Sequence, residues 1–257
     1  MIPRLVGMVH LGPLPGAPRS TGDLDTVLED AVSDTRTLLD AGFDAVMVEN
    51  FGDAPFFADD VPDVTVAAMT RAVLAVREAA GSSPVGVNVL RNDAVAALSI
   101  AAATGATMIR VNVLSGTMWT DQGPITGRAA EVARLRADIA PDVLVLADVF
   151  VKHAVPPPGQ DVGDAARDAW ERAGADGLVV SGVGTGHAID LTEAAAVRDA
   201  VPDAPLVAGS GTSPGNVADV LAVCDSVIVG TSIKEGGVPT GRVHPERARL
   251  LVQAAGS

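Results

Sequence analysis

The sequence predicts an α/β fold, a single-domain (β/α)8 TIM barrel that occupies all of residues 1–257. Three observations carry that expectation. Eight short apolar runs alternate with eight longer stretches of helical period, the borders between them repeat, and the polar residues that interrupt the apolar runs sit at their C-terminal ends. In a barrel of this kind, that is where the chemistry is kept. An open doubly wound sheet also uses successive parallel βα units, but eight of them with no linker-like break favour closure.

The apolar runs lie at 5–9, 45–48, 85–90, 108–113, 143–149, 178–180, 206–208 and 227–229. Each is rich in Val, Ile or Leu and bounded by Gly, Pro or Asp, as strands covered on both faces are. The helical stretches lie at 24–40, 63–80, 92–104, 127–139, 161–173, 190–200, 214–222 and 245–255. In the first, Leu24, Val27, Leu28, Ala31, Thr35, Leu38 and Leu39 share one face at spacings of three and four. Asp23 and Thr65 are placed to cap the first two helices. Proline opens strands one, three, five and seven (Pro3, Pro84, Pro141, Pro205), where no ladder donor is needed. Strands two, four and six follow Ala41-Gly42-Phe43-Asp44, Thr104-Gly105-Ala106-Thr107 and Ala173-Gly174-Ala175-Asp176, whose glycines suit left-handed helix caps. The alternation fits a βαβα unit used four times, or loop chemistry that recurs for its own reasons.

Composition narrows the function. Apolar residues make up 48% and charged residues 19%, which excludes disorder. Aromatics are 3%, with no Tyr, and the net charge is −14, so neither nucleic acid nor an anionic membrane is an expected partner. The one cysteine, Cys224, excludes a disulfide framework and any cysteine-built zinc site. No apolar run reaches the roughly 18 residues of a membrane span, nor does one follow a basic start, so the expected location is the cytoplasm. Asp outnumbers Glu 24 to 8 and there are only two lysines, Lys152 and Lys234. Such a surface suits high salt, where self-repulsion is screened; a high-GC genome leaves a similar bias.

Polar residues inside apolar strands are costly without partners, so those at the strand ends are the candidates for function. Glu49, Asn112, Asp148 and Lys152 are the expected catalytic groups, and His10, Asn88, Arg91, His153 and Lys234 the expected substrate contacts. Arg110, mid-strand, is expected to be structural, paired to an internal carboxylate. Two glycine-rich turns follow strands seven and eight. Gly209, Ser210, Gly211 and Thr212 in the first, with Gly230, Thr231 and Ser232 in the second, are placed to give backbone donors to a phosphate, assisted by a helix starting near Ser213. A third turn, 182–186, and His187 border the same face. No cofactor is expected. His10, Glu49, Asp148 and His153 could group around a divalent metal, but no local ligand spacing favours it. The long segments 11–22, 50–62 and 114–126, which carry Phe51, Phe56, Phe57 and Trp119, are expected to form a lid or a contact between copies of a homo-oligomer.

Several of these segments form longer motifs: Gly7-Met8-Val9-His10-Leu11, Val48-Glu49-Asn50-Phe51-Gly52-Asp53, Gly86-Val87-Asn88-Val89-Leu90-Arg91-Asn92-Asp93, Ile109-Arg110-Val111-Asn112-Val113, Thr120-Asp121-Gln122-Gly123, Val151-Lys152-His153-Ala154 and Gly230-Thr231-Ser232-Ile233-Lys234. Together they resemble the BtpA/SgcQ family over nearly the whole chain. The turn at Gly209-Ser210-Gly211-Thr212-Ser213-Pro214 departs slightly from that family's usual valine-bearing version. The resemblance implies a fold like the ribulose-phosphate-binding barrels. It also links the chain to a photosystem I biogenesis role in cyanobacteria and to a branch found among sugar-uptake genes. The residues themselves point to an enzyme of isomerase or aldolase/lyase type acting on a phosphorylated sugar or nucleoside-derived metabolite. In it, Asp148, Lys152 and Glu49 move protons, or Lys152 forms a Schiff base. The alternative is a non-catalytic assembly or stability factor on a barrel scaffold.

Overall fold

The structure, a computed structural model, describes residues 1–182 and 189–256. Strand β1 (Leu5–His10) leads to α1 (Leu24–Ala41), β2 (Ala45–Glu49) to α2 (Asp63–Ala80), and β3 (Val85–Asn88) to α3 (Ala94–Thr104). After β4 (Met108–Val111) come two short strands, β5 (Thr117–Thr120) and β6 (Gly123–Thr126), and then α4 (Ala129–Ile139). Next are β7 (Leu144–Asp148), the two-residue β8 (Ala154–Val155), and α5 (Val162–Arg167), which runs on into a π-helical turn over Asp168–Arg172. The remainder is β9 (Gly177–Val180), α6 (Leu191–Ala200), β10 (Leu206–Ala208), α7 (Val217–Leu221), β11 (Ser226–Val229) and α8 (Pro245–Ala255).

Eight strands close into one parallel barrel in the order β1-β11-β10-β9-β7-β4-β3-β2. The seam is the pairing of β1 with β11, Leu5 opposite Val227 and Gly7 opposite Val229. Closure settles the choice between a barrel and an open sheet, because neither end strand is left as an edge. Among the described residues no helix is long and apolar enough to cross a membrane.

Helix borders follow local chemistry. Asp23 caps α1, its carboxylate accepting from the Thr26 amide at 3.1 Å, and Gly42 ends the helix at φ 103. Thr65, the other expected cap, lies inside α2 and is buried there; Pro62 holds the N-cap position. Helix α7 begins at Val217, later than the Ser213 region. Asn216 explains the delay. Its Oδ1 accepts from the Ser213 amide at 2.7 Å and its Nδ2 donates to the Gly211 carbonyl at 3.0 Å, so the side chain occupies the turn where a first helical turn was expected.

Side chains alternate across each strand. One face of the sheet (Val9, Val46, Val48, Val87, Ile109) packs under the helices, and the other (Val6, Met47, Met108, Leu146, Val207, Ile228) fills the barrel. Two residues beyond the last apolar inward position, the same face carries His10, Glu49, Asn88, Arg110 and Asp148. His10, Glu49, Asn88 and Arg110 lie side by side in register across β1, β2, β3 and β4. A ring of polar groups thus caps an apolar barrel interior.

Segment 114–126, expected as a loop, joins Ala154–Val155 in a small antiparallel sheet of order β6-β5-β8. Thr117 pairs with Thr126 and Trp119 with Val155. Met118 and Ile125 are buried against Val113 and Val151, which fastens the sheet over the barrel mouth.

Candidate functional site

Two adjoining compartments open at the C-terminal end of the barrel. The first, about 310 Å³, lies between His10 and the two glycine-rich turns, and all seven expected phosphate-turn residues line it: Gly209, Ser210, Gly211, Thr212, Gly230, Thr231 and Ser232. The second, about 350 Å³, is lined by Phe56, Leu90, Arg91, Asn112, Asp121, Gln122 and His153. Glu49, Phe51, Arg110 and Lys152 border both.

The polar ring positions the shared wall. Glu49 Oε2 accepts from Asn88 Nδ2 at 2.6 Å, and Oε1 stands 3.6 Å from His10 Nε2. The His10 ring stacks on Phe51 at 4.6 Å between centroids. Its Nδ1 is 2.7 Å from the Pro239 carbonyl, which can only accept, so that nitrogen carries the ring's proton. Burial pulls the His10 pKa down to about 4, although Glu49 opposes the shift. The neutral ring therefore turns an unprotonated Nε2 toward Glu49 Oε1. Two acceptors face each other there, and one proton or one ligand donor can serve both.

Arg110 binds Asp148 through two bonds, Nη2 to Oδ1 at 2.7 Å and Nε to Oδ2 at 3.1 Å, while Asn112 Nδ2 donates to Oδ2 at 2.7 Å. The Asp148 side chain is 0% exposed and borders neither large compartment; Arg110 borders both. This reverses the expected division of labour. The internal carboxylate that pairs Arg110 is Asp148 itself, an expected proton carrier, and the group presented to the cavity is the arginine. Burial draws the Arg110 guanidinium down, but Asp148 more than offsets this and holds it above its ordinary range.

Lys152 is half-buried, and burial, then Arg110, lower its pKa against the pull of Glu49 and Asp148. Arg91 Nη2 donates to the Lys152 carbonyl at 2.6 Å and so holds the strand end in place. His153 lies on the exposed rim of the second compartment at φ 58.

In the first compartment Gly211 adopts φ 71, a conformation that favours glycine. Ser232 Oγ donates to the Thr212 carbonyl at 2.6 Å, tying the two turns together. Thr212 is buried, and among the described residues its hydroxyl has no hydrogen-bond partner. Gly209 is required for a second reason: a Cβ there would meet Val179 and come within 2.6 Å of Ser181 Oγ.

Two further expectations need correction. Lys234 does not reach the mouth; it is fully buried, with Nζ 3.2 Å from Asp34 Oδ2. The helix that was to add its dipole beside Ser213 starts at Val217. The metal grouping that the sequence left open does not assemble: among the described residues no three His, Cys, Asp or Glu side chains lie close enough to hold an ion, and Asp148 spends both oxygens on Arg110 and Asn112. In the turn after β9, Val183 to Gly186, together with His187, lies outside the described residues. Sequence reading also missed the hairpin's contribution, Asp121 and Gln122, and gave Phe51 no role beyond lid packing.

A family model described as the BtpA family matches residues 2–257. The chain belongs to that family. A protein of Thermococcus kodakarensis is 50% identical to it over 253 residues, covering 98% of this chain and 94% of its own. The photosystem I biogenesis protein BtpA of Synechocystis is 41% identical, with coverages of 97% and 87%, and the Escherichia coli putative sgc region protein SgcQ is 32% identical, with 97% and 92%. Among solved structures, the thiamine phosphate pyrophosphorylase of Pyrococcus furiosus superposes with a TM-score of 0.61 at 16% identity, covering 98% of this chain and 95% of that one. Phosphoribosyl anthranilate isomerase from Thermus thermophilus gives 0.58 at 16%, covering 98% of each. At such identities the likeness shows the fold: this BtpA-family chain is a TIM barrel built like those enzymes.

Proposed function

We propose that this protein is an enzyme acting on a phosphorylated sugar or nucleoside-derived metabolite, by isomerase or aldolase/lyase chemistry. The observation that carries the reading is the pairing of compartments. The glycine-rich one offers backbone that a phosphate can approach closely, at Gly209, Gly211 and Gly230. The other is walled by Arg91, Asn112, Asp121 and Gln122, suited to hydroxyls on the body of the molecule. Glu49, Arg110 and Lys152 stand at the junction, where the reacting carbons of such a molecule would lie. Glu49 with His10 moves the proton, Arg110 steadies a developing oxyanion, and Asn88 and Asp148 hold Glu49 and Arg110 in place. The names of the structural neighbours, a thiamine phosphate pyrophosphorylase and a phosphoribosyl anthranilate isomerase, support a phosphorylated substrate by analogy.

A second reading has one feature in its favour. Trp119 and Val155, paired across β5 and β8, are 55% and 65% exposed. An assembly factor, as the Synechocystis relative is named, would use such an apolar spot.

Titration calorimetry with sugar phosphates and nucleoside monophosphates, each beside its dephosphorylated form, separates the two. The enzyme reading expects phosphate-dependent binding that Gly211→Val weakens about tenfold, because a side chain at φ 71 strains the turn and keeps the phosphate from its backbone. Equal affinities for both forms, or no effect of the substitution, would sink the phosphate compartment.

A further inference from the structure

The chain has two lysines, and the fold treats them differently. Lys234 is fully buried and answered by Asp34. Lys152 lies on the wall shared by the two compartments, and among the described residues no hydrogen bond or ion pair engages its amine. An ammonium partly withdrawn from water, with no anion at bonding distance, loses solvation that the more distant Glu49 and Asp148 return only in part. Burial and Arg110 accordingly lower its pKa. The lone pair belongs to the free amine, whose share at neutral pH rises about tenfold for each unit of that shift. Its neighbours complete a carbonyl site. Arg110 borders the same space and presents a guanidinium to an oxygen that gains negative charge, and Glu49, with His10 behind it, can pass a proton.

We propose that Lys152 is a covalent catalyst, forming an imine with an aldehyde or ketone whose phosphate sits between the glycine-rich turns. This rests on the phosphate reading above. The Lys152 nitrogen adds to the carbonyl carbon, and a proton passes from nitrogen to the former carbonyl oxygen, giving a carbinolamine. The proton that the Lys152 ammonium gave to Glu49 on becoming the free amine is then returned, expelling that hydroxyl as water and leaving the protonated imine. No oxidant or reductant takes part. The imine draws electrons from the adjacent carbon, the activation that both isomerase and aldolase/lyase chemistry require.

Reductive trapping tests it. The full chain is incubated with dihydroxyacetone phosphate or glyceraldehyde 3-phosphate, or with dihydroxyacetone or glyceraldehyde, in the presence of cyanoborohydride, and adducts are located by peptide mass mapping. Inorganic phosphate binding is measured separately by calorimetry. The expected result is an adduct on Lys152, favoured over Lys234 and the amino terminus on the order of tenfold and dependent on the phosphate. It is lost in Lys152→Arg, while that variant keeps the wild-type melting temperature. No adduct on Lys152 while inorganic phosphate still binds overturns the imine and leaves the phosphate reading standing. Equal yields from phosphorylated and unphosphorylated carbonyls overturn the phosphate anchor, and with it the proposal, but leave a reactive amine. Adducts spread evenly over all three amines mean indiscriminate chemistry and overturn it as well.

Discussion

Two buried charge clusters are made of similar parts and do different things. In the first, beside α1, Asp34 accepts from Lys234 Nζ at 3.2 Å, Arg242 Nε at 2.9 Å and the Val243 amide at 3.0 Å, and Arg242 reaches on to Asp30. Each of these charged groups has an oppositely charged partner within bonding distance. In the second, at the barrel mouth, Arg91, Arg110 and Lys152 share two buried carboxylates, Glu49 and Asp148, while Asp121 joins only from the exposed hairpin. Cationic groups are left facing the space. In a protein of net charge −14, that local excess is what an anionic ligand can find. On the function proposed above, the first cluster saturates its ions and the second leaves some for the ligand.

The widest contrast is expected from the two lysines. Lys234→Met leaves a carboxylate buried with half its answer, which costs about 3–5 kcal/mol. Lys152→Met removes an unanswered ammonium and shifts stability by no more than about 1 kcal/mol. Urea unfolding of both variants measures this, and similar losses would erase the distinction between the clusters.

Acid separates them next. The folded His10 value of about 4 lies below its ordinary 6.5, so the unfolded chain binds more protons between those limits. The stability that neutral His10 contributes is complete above pH 6.5 and is lost as pH falls toward 4. That amounts to roughly 3 kcal/mol across the window. His10→Asn, compared with wild type in denaturant titrations across that range, should flatten this part of the pH dependence. Parallel curves would mean that His10 does not titrate in this window.

Salt should produce the smallest change. Screening of the acidic surface is expected to raise the melting temperature between low and molar salt, while buried pairs are screened much less. The rise should therefore be the same in wild type and Lys234→Met. A flat response in both would remove the case for a surface suited to high salt.

The barrel was legible because buried parallel strands and amphipathic helices leave different periods in one chain. The apolar run at 45–48 became Ala45–Glu49, and 206–208 became Leu206–Ala208. The hairpin was not legible. Its strands, Thr117–Thr120 and Gly123–Thr126, hold no continuous run of Val, Ile or Leu, and Pro124 inside β6 reads as a loop residue. At the site, Glu49, Asn112 and Lys152 could be found because a polar residue at the end of an apolar strand is conspicuous. Arg110 and Asp148 both hold inward positions, so the sequence could not say which of the pair would face the cavity. Lys234 misled for a related reason. It follows β11 as Lys152 follows β7, but the helical turn Thr231–Ile233 redirects the chain, and its partner lies 200 positions away in α1.

That separation bears on how the molecule assembles. The seam between β1 and β11 joins the two ends of the chain, and the Asp34–Lys234–Arg242 cluster bridges the same ends, with partners 200 and 208 residues apart. Contacts of such span are the costliest in chain entropy and tend to form late. The intervening βα units can pair with their neighbours before the ring is complete. The cluster then acts as a fastener set after the circle has closed, one that governs how quickly the barrel reopens more than how quickly it forms.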